Sequence, residues 1–156
     1  MFGQASQTPY DLNFRLLGIP VRVHPLFWLF MFLMGYQTIP GNGNLSLQIV
    51  AIWTVAAFVS ILLHEMGHIW MGQVFGNDGE VVLYGMGGLA IGSNIGLFWW
   101  RKILVSLAGP GIQLILAGVI YGGVLEGFLY QPHHPKEMLI WVLFFDINFF
   151  WALLNL

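Results

Sequence analysis

The 156-residue chain is 58% hydrophobic, 16% aromatic and only 8% charged, with a mean hydropathy of +0.77. Soluble globules carry about a quarter charged residues, so this composition excludes an ordinary soluble domain and reads as a multi-pass membrane protein of one domain's length. The net charge of −2 offers no basic patch for nucleic acid, and the lack of cysteine excludes disulfides and thiolate metal sites, so any zinc site must use His and carboxylate.

In chain order, residues 1–24 are expected to form an N-terminal tail and interfacial extended segment, followed by a membrane-embedded core over 25–156. The mixed, polar start lacks the pattern of a cleaved signal peptide. Residues 1–13 are expected to be loosely held. Phe14 to Val23, broken by Gly18 and Pro20, reads as extended. Pro25 is suited to a helix's first turn and opens a short span to about Ile39. Pro40-Gly-Asn-Gly-Asn44 is a turn signal, and a second span runs from Leu45 to about Gly72. Beyond the Asn77-Asp78-Gly79 turn, Glu80–Tyr84 is a strand candidate. Gly85-Met-Gly-Gly88 interrupts it and Leu89–Ile91 resumes it, which suggests a hairpin pairing with the segment before Pro25. Trp99 and Trp100 beside Arg101 and Lys102 read as an interfacial anchor. The third span, Ile103 to about Leu129, contains Gly118-x-x-x-Gly122 and Gly123-x-x-x-Gly127, which permit close helix packing in lipid. A polar connection at 131–137 precedes a fourth apolar run from Met138 to Leu156. The expected fold class is an all-α polytopic membrane protein of about four transmembrane helices, with a small membrane-associated β-hairpin between helices 2 and 3.

Four spans in this order put the N-terminus and residues 73–102 on one side. That side holds Arg15, Arg22, Arg101 and Lys102 and leaves only Lys136 on the other, so the N-terminus is expected to be cytoplasmic.

The chemistry-bearing stretch is Ser60-Ile-Leu-Leu-His-Glu-Met-Gly-His68, which ends an uncharged run from Leu45 to Leu63. On a helix, His64 and His68 share a face and can both direct a nitrogen at one ion, while Glu65 lies one step around. Two histidine ligands with an adjacent carboxylate form a His-Glu-x-x-His arrangement for Zn²⁺, with Glu65 placed to take a proton from water on the metal. Ionisable groups in an apolar span tend to mark function. His24 is expected to be structural, while His133, His134 and Glu126 fall toward the opposite membrane face. Asp146 lies mid-span, and Asn148 and Asn155 can hydrogen-bond across helices or to substrate.

With these residues in view, the sequence resembles the site-2 proteases, intramembrane zinc metalloproteases. The resemblance rests on His64-Glu65-Met66-Gly67-His68 within a span, Ser106-Leu-Ala-Gly-Pro110 opening the next long span, and the glycine-broken Leu83–Ala90 between them. It extends over residues 14–156. It implies a zinc endopeptidase acting in or near transmembrane segments of other proteins, with His64 and His68 as ligands, Glu65 as catalytic base and a lipid bilayer as surroundings. Gly87, Gly88 and Asn155 are the implied substrate-binding positions. The family commonly has Asn where this chain has Gln113. Its third ligand, an aspartate downstream of an Asn resembling Asn155, would fall beyond Leu156, so the chain is expected to be a fragment. The rival readings are a membrane zinc protease with a cytosolic active site and a non-catalytic membrane protein, either an inactive protease relative or a metal transporter. The unbroken apolar run into Leu63 counts against the first. The concentration of ionisable residues on one helix counts against a transporter.

Overall fold

The computed structural model describes residues 7–38, 44–127 and 135–155. The elements in chain order are β1 (Leu12–Leu16), β2 (Ile19–Val23), α1 (Pro25–Thr38), α2 (Asn44–Val74), β3 (Glu80–Tyr84), β4 (Gly87–Ile91), α3 (Trp99–Leu125) and α4 (Pro135–Leu154). The described residues are mostly helical, with four helices and one small sheet. Two helical stretches, Leu47–Val74 and Trp99–Leu125, are long and apolar enough to cross a membrane. The apolar parts of α1 and α4, Pro25–Gln37 and Ile140–Leu154, are shorter. The expected turn at Pro40–Gly43, the His133–His134 loop and Leu156 lie outside the described residues.

The fold departs from an all-α reading at its N-terminal end. The expected hairpin is half of a four-stranded sheet ordered β1-β2-β3-β4. The physical reason is the alternation in Ile19-Pro-Val-Arg-Val23, which turns Ile19, Val21 and Val23 inward to near-complete burial. Strand β2 pairs antiparallel with β1 through a tight turn at Leu17-Gly18, both at positive φ (49° and 82°). It then pairs parallel with β3, Val21 opposite Val81 and Val23 opposite Leu83, with α1 and α2 forming the crossover. β3 returns antiparallel into β4, which has no strand beyond it among the described residues.

Residues 7–13 are likewise not a loose tail. The Thr8 hydroxyl donates to Asp11 (2.5 Å), Asp11 pairs with Arg22 (3.1 Å), and β1 begins at Leu12. His24 joins sheet to helix: its backbone N–H donates to the Leu83 carbonyl (2.9 Å), and its Nδ1 accepts the Leu26 N–H (3.1 Å) in the first turn of α1. A ring that accepts an otherwise unpaired N–H at a helix start is a capping role, as its place before Pro25 suggested.

The core runs from the inner sheet face (Val21, Val23, Val81, Leu83) through Phe27 and Met31 of α1 to Trp53, Ala57, Ile61, Met66 and Ile69 of α2. Ile147 of α4 closes it. Helices α2 and α3 approach closely at Gly67, where an added Cβ would stand 2.8 Å from the Ala108 carbonyl oxygen. The expected glycine pair Gly118-x-x-x-Gly122 farther along α3 makes no such approach within the described residues. A Cβ at Gly118 or Gly122 would meet nothing within 4 Å.

Candidate functional site

The second half of α2 carries His64, Glu65 and His68 beneath the sheet and against the first half of α3. His64 and Glu65 are buried, at 5% and 7% exposure. The two histidines stand one helical turn apart, so their rings lie side by side with centroids 4.7 Å apart and Nε2 atoms 3.1 Å apart.

Their outer nitrogens are held from α3. His68 Nδ1 lies 2.6 Å from the Val105 carbonyl oxygen, and His64 Nδ1 lies 2.8 Å from Gln113 Oε1. The Gln113 amide is itself oriented, because its Nε2 donates to the Ser60 carbonyl (3.3 Å). These partners decide the tautomers. A backbone carbonyl can only accept, so His68 carries its proton on Nδ1; Gln113 Oε1 likewise accepts, so His64 does the same. With both rings neutral, as metal ligands must be, both Nε2 atoms present lone pairs to each other. Two lone pairs at that separation repel unless a cation lies between them. Two nitrogens bound tetrahedrally to one zinc at about 2.0–2.1 Å stand roughly 3.3 Å apart, close to the observed spacing. The donor set fits a divalent ion with nitrogen preference. Among the described residues, no third His, Cys, Asp or Glu joins the pair in a ligand cluster.

The sequence Ala108-Gly-Pro110 acquires its physical reason here. A Cβ at Gly109 would land on His68 Nε2 and stand 2.9 Å from His64 Nε2, so only glycine leaves room for both rings. Pro110 has no N–H to give the Ser106 carbonyl, so this turn of α3 does not spend all its backbone oxygens within the helix.

Glu65 faces the sheet. A Cβ at Gly88 would fall on its side chain, and the Ala90 backbone N–H donates to the carboxylate. The chain turns at Gly85-Met86, so the expected interruption does not reach Gly87-Gly88, which open β4 and, lacking a side chain at Gly88, let it lie directly over the acid. A cavity of about 340 Å³ opens beside these groups, lined by His64, Glu65 and His68 from α2, Gly88 to Ala90 from β4, Ser93 and Asn94 after it, Val105 and Ser106 of α3, and Asn155. Of the implied substrate positions, Gly88 and Asn155 line the cavity and Gly87 does not. Neither Asp146 nor His24 lines it. Ser93 and Asn94 were not singled out from sequence. Asn77 holds their loop by donating to the Ser93 and Ile95 carbonyls (3.2 and 2.9 Å), and no local pattern foretells such a tertiary clamp.

No family model matches the chain. It is 29% identical over 108 residues to a zinc metalloprotease of Methanocaldococcus jannaschii, a match covering 69% of this chain and 30% of that protein. Among solved structures it resembles a site-2 protease from Methanocaldococcus jannaschii, with a TM-score of 0.62 and 24% identity over 90% of this chain. The chain spans 63% of the length of that structure and less than a third of the curated relative. The structural likeness carries the fold, and the sequence match, to a protein named a zinc metalloprotease, accords with the histidine pair on α2.

Proposed function

We propose that the protein is an intramembrane zinc endopeptidase that hydrolyses peptide bonds in or near transmembrane segments of other membrane proteins. The observation that carries this reading is the pair of imidazole Nε2 atoms held 3.1 Å apart, with a buried carboxylate on the residue after His64 and a strand edge above. A zinc ion bound there would polarise the scissile carbonyl and bring its water's pKa toward neutrality.

The chain's own residues do the rest. His64 and His68 supply neutral nitrogens because Gln113 and Val105 keep their protons on the far side. Glu65 accepts the proton of the attacking water and returns it to the departing amine. A helical substrate hides its carbonyls in hydrogen bonds and must unwind before attack. Strand β4, at the edge of the sheet and lining the cavity, offers main-chain partners for the unwound stretch. Substitution of Leu89 by proline would interfere with that pairing and should lower cleavage; unchanged cleavage would remove the strand from the mechanism.

In the bilayer, α2 and α3 cross and α1 and α4 complete a multi-pass bundle, with the N-terminus cytoplasmic by its excess of Arg and Lys. Glu65→Gln tests the chemistry. It should retain zinc and lose roughly 10²–10⁴-fold in cleavage of a reconstituted transmembrane substrate. Full activity in that variant would remove Glu65 as the base.

A further inference from the structure

Ser60 lies one turn before His64 on α2, and three helices meet at it. Gln113 of α3 donates to its carbonyl (3.3 Å), and Asn148 Nδ2 of α4 donates to its hydroxyl oxygen (2.9 Å). All three side chains are fully buried. Asn148 also donates to the Phe144 carbonyl (2.8 Å) on its own helix, while its Oδ1 has no partner among the described residues. Ala56 and Ala57 one turn before Ser60, Ile61 after it and Ile147 before Asn148 are apolar, buried and part of the core. A primary amide here keeps one oxygen unsatisfied, which is unfavourable in an apolar junction, and no step of the proposed chemistry touches it.

Asn148 is therefore to be explained by what its bond to Ser60 holds. The Ser60 carbonyl is the one that the α-helix pairs with the His64 N–H, and it also seats the Gln113 amide, whose other end fixes the His64 tautomer. Seven residues on, just past the end of α4, Asn155 reaches the cavity. We infer that Asn148 is a positioning residue for the histidine pair: by bonding Ser60 it fixes the α2 turn on which Gln113 rests, and so the orientation of His64. Single polar residues in apolar helix interfaces are known to set register in this way. The inference rests on the metal reading of His64 and His68.

The test uses cobalt(II) as a spectroscopic stand-in for zinc, titrated into the purified full chain and followed by its visible absorption. Asn148→Leu should weaken cobalt binding about 3- to 10-fold, in line with one interhelical hydrogen bond in a membrane protein, and alter the absorption bands. In a Gln113→Leu background the same change should produce no further loss, because the path to His64 is already cut. Ser60→Ala, which keeps the carbonyl and removes the hydroxyl, should reproduce the Asn148→Leu effect. It decides alone if thermal melts show that Asn148→Leu does not fold. Unchanged affinity and bands in the folded variants, or an equal loss in both backgrounds, would overturn the inference while leaving the metal site standing. A wild-type chain that takes up no cobalt would overturn the metal reading, and this inference with it.

Discussion

The two halves of α3 are built from similar residues and do different things. In the first half Val105, Gly109, Pro110 and Gln113 are buried, and between them they hold both histidine rings of α2. In the second half Ala117 and Ile120 are buried and Tyr121 meets Phe145 of α4, but Gly118 and Gly122 face open space, and Val119, Tyr121 and Leu125 are well exposed. Glycine spacing alone does not distinguish the two. A glycine on a helix face matters where a bulky group on the neighbour needs its volume, and here that group is an imidazole. The sharpest way to break this contrast is Gly109→Val. Its side chain would occupy the space of the His68 ring, so metal affinity should fall roughly 100-fold or more, as judged by zinc content after dialysis. A variant that retained stoichiometric zinc would mean that the first half of α3 does not seat the histidines.

The next effect down is Gln113→Leu. Leucine matches glutamine in bulk and leaves the packing of α2 on α3 intact, but removes the acceptor for His64 Nδ1–H and the donor to Ser60. Outer partners of metal-binding histidines are commonly worth 10- to 100-fold in affinity, so a loss of about that size is expected in a zinc titration. Gln113→Asn keeps the chemistry and shortens the reach, and its affinity should fall between the two. Equal affinity in all three proteins would show that the amide is a packing residue only.

Much of this was legible before any coordinates. The His64–His68 spacing follows from helical periodicity, and the uncharged run before it from hydropathy. What could not be read is the meeting of distant segments. β1 and β2 were foreseeable as extended chain. Their union with β3 depends on a crossover of two helices, which leaves no local signal apart from the Ile19, Val21, Val23 alternation. The importance of Gln113 was underestimated for the same reason, because its two partners lie 49 and 53 residues away. The spacing of Gly118 and Gly122 permits a close approach, and which neighbour uses it is not written in the spacing.

Polar contacts at the rim of the sheet offer a gentler comparison with those beneath it. Asp11 is held below its ordinary value of 3.8, first by the Thr8 hydroxyl bond and then, against the opposing effect of burial, by Arg22. A lowered folded-state value means that the contribution to stability is complete above the ordinary value and is lost as pH falls through the folded one. The melting temperature of Asp11→Asn should therefore lie slightly below that of the wild type near neutrality, and the gap should close in acid below about pH 4. A gap independent of pH would assign the effect to packing of the strap instead of its charge.

The smallest effect is expected at Gly118, and it serves the opening contrast as its control. A Cβ there meets nothing within 4 Å, so Gly118→Ala introduces no clash and removes no contact. Alanine is the better helix former by about 0.8–1.0 kcal/mol in water, an advantage that operates on the backbone alone. The variant should therefore melt at or slightly above the wild-type temperature, with unchanged zinc content. The same one-carbon addition at Gly109 reaches both His68 and His64. If Gly118→Ala lowered the melting temperature by several degrees or reduced bound zinc, the face of α3 at Gly118 would have to be in close contact with a neighbour. The difference between Gly109 and Gly118 would then lie in what each one touches, and no longer in whether that glycine is touched.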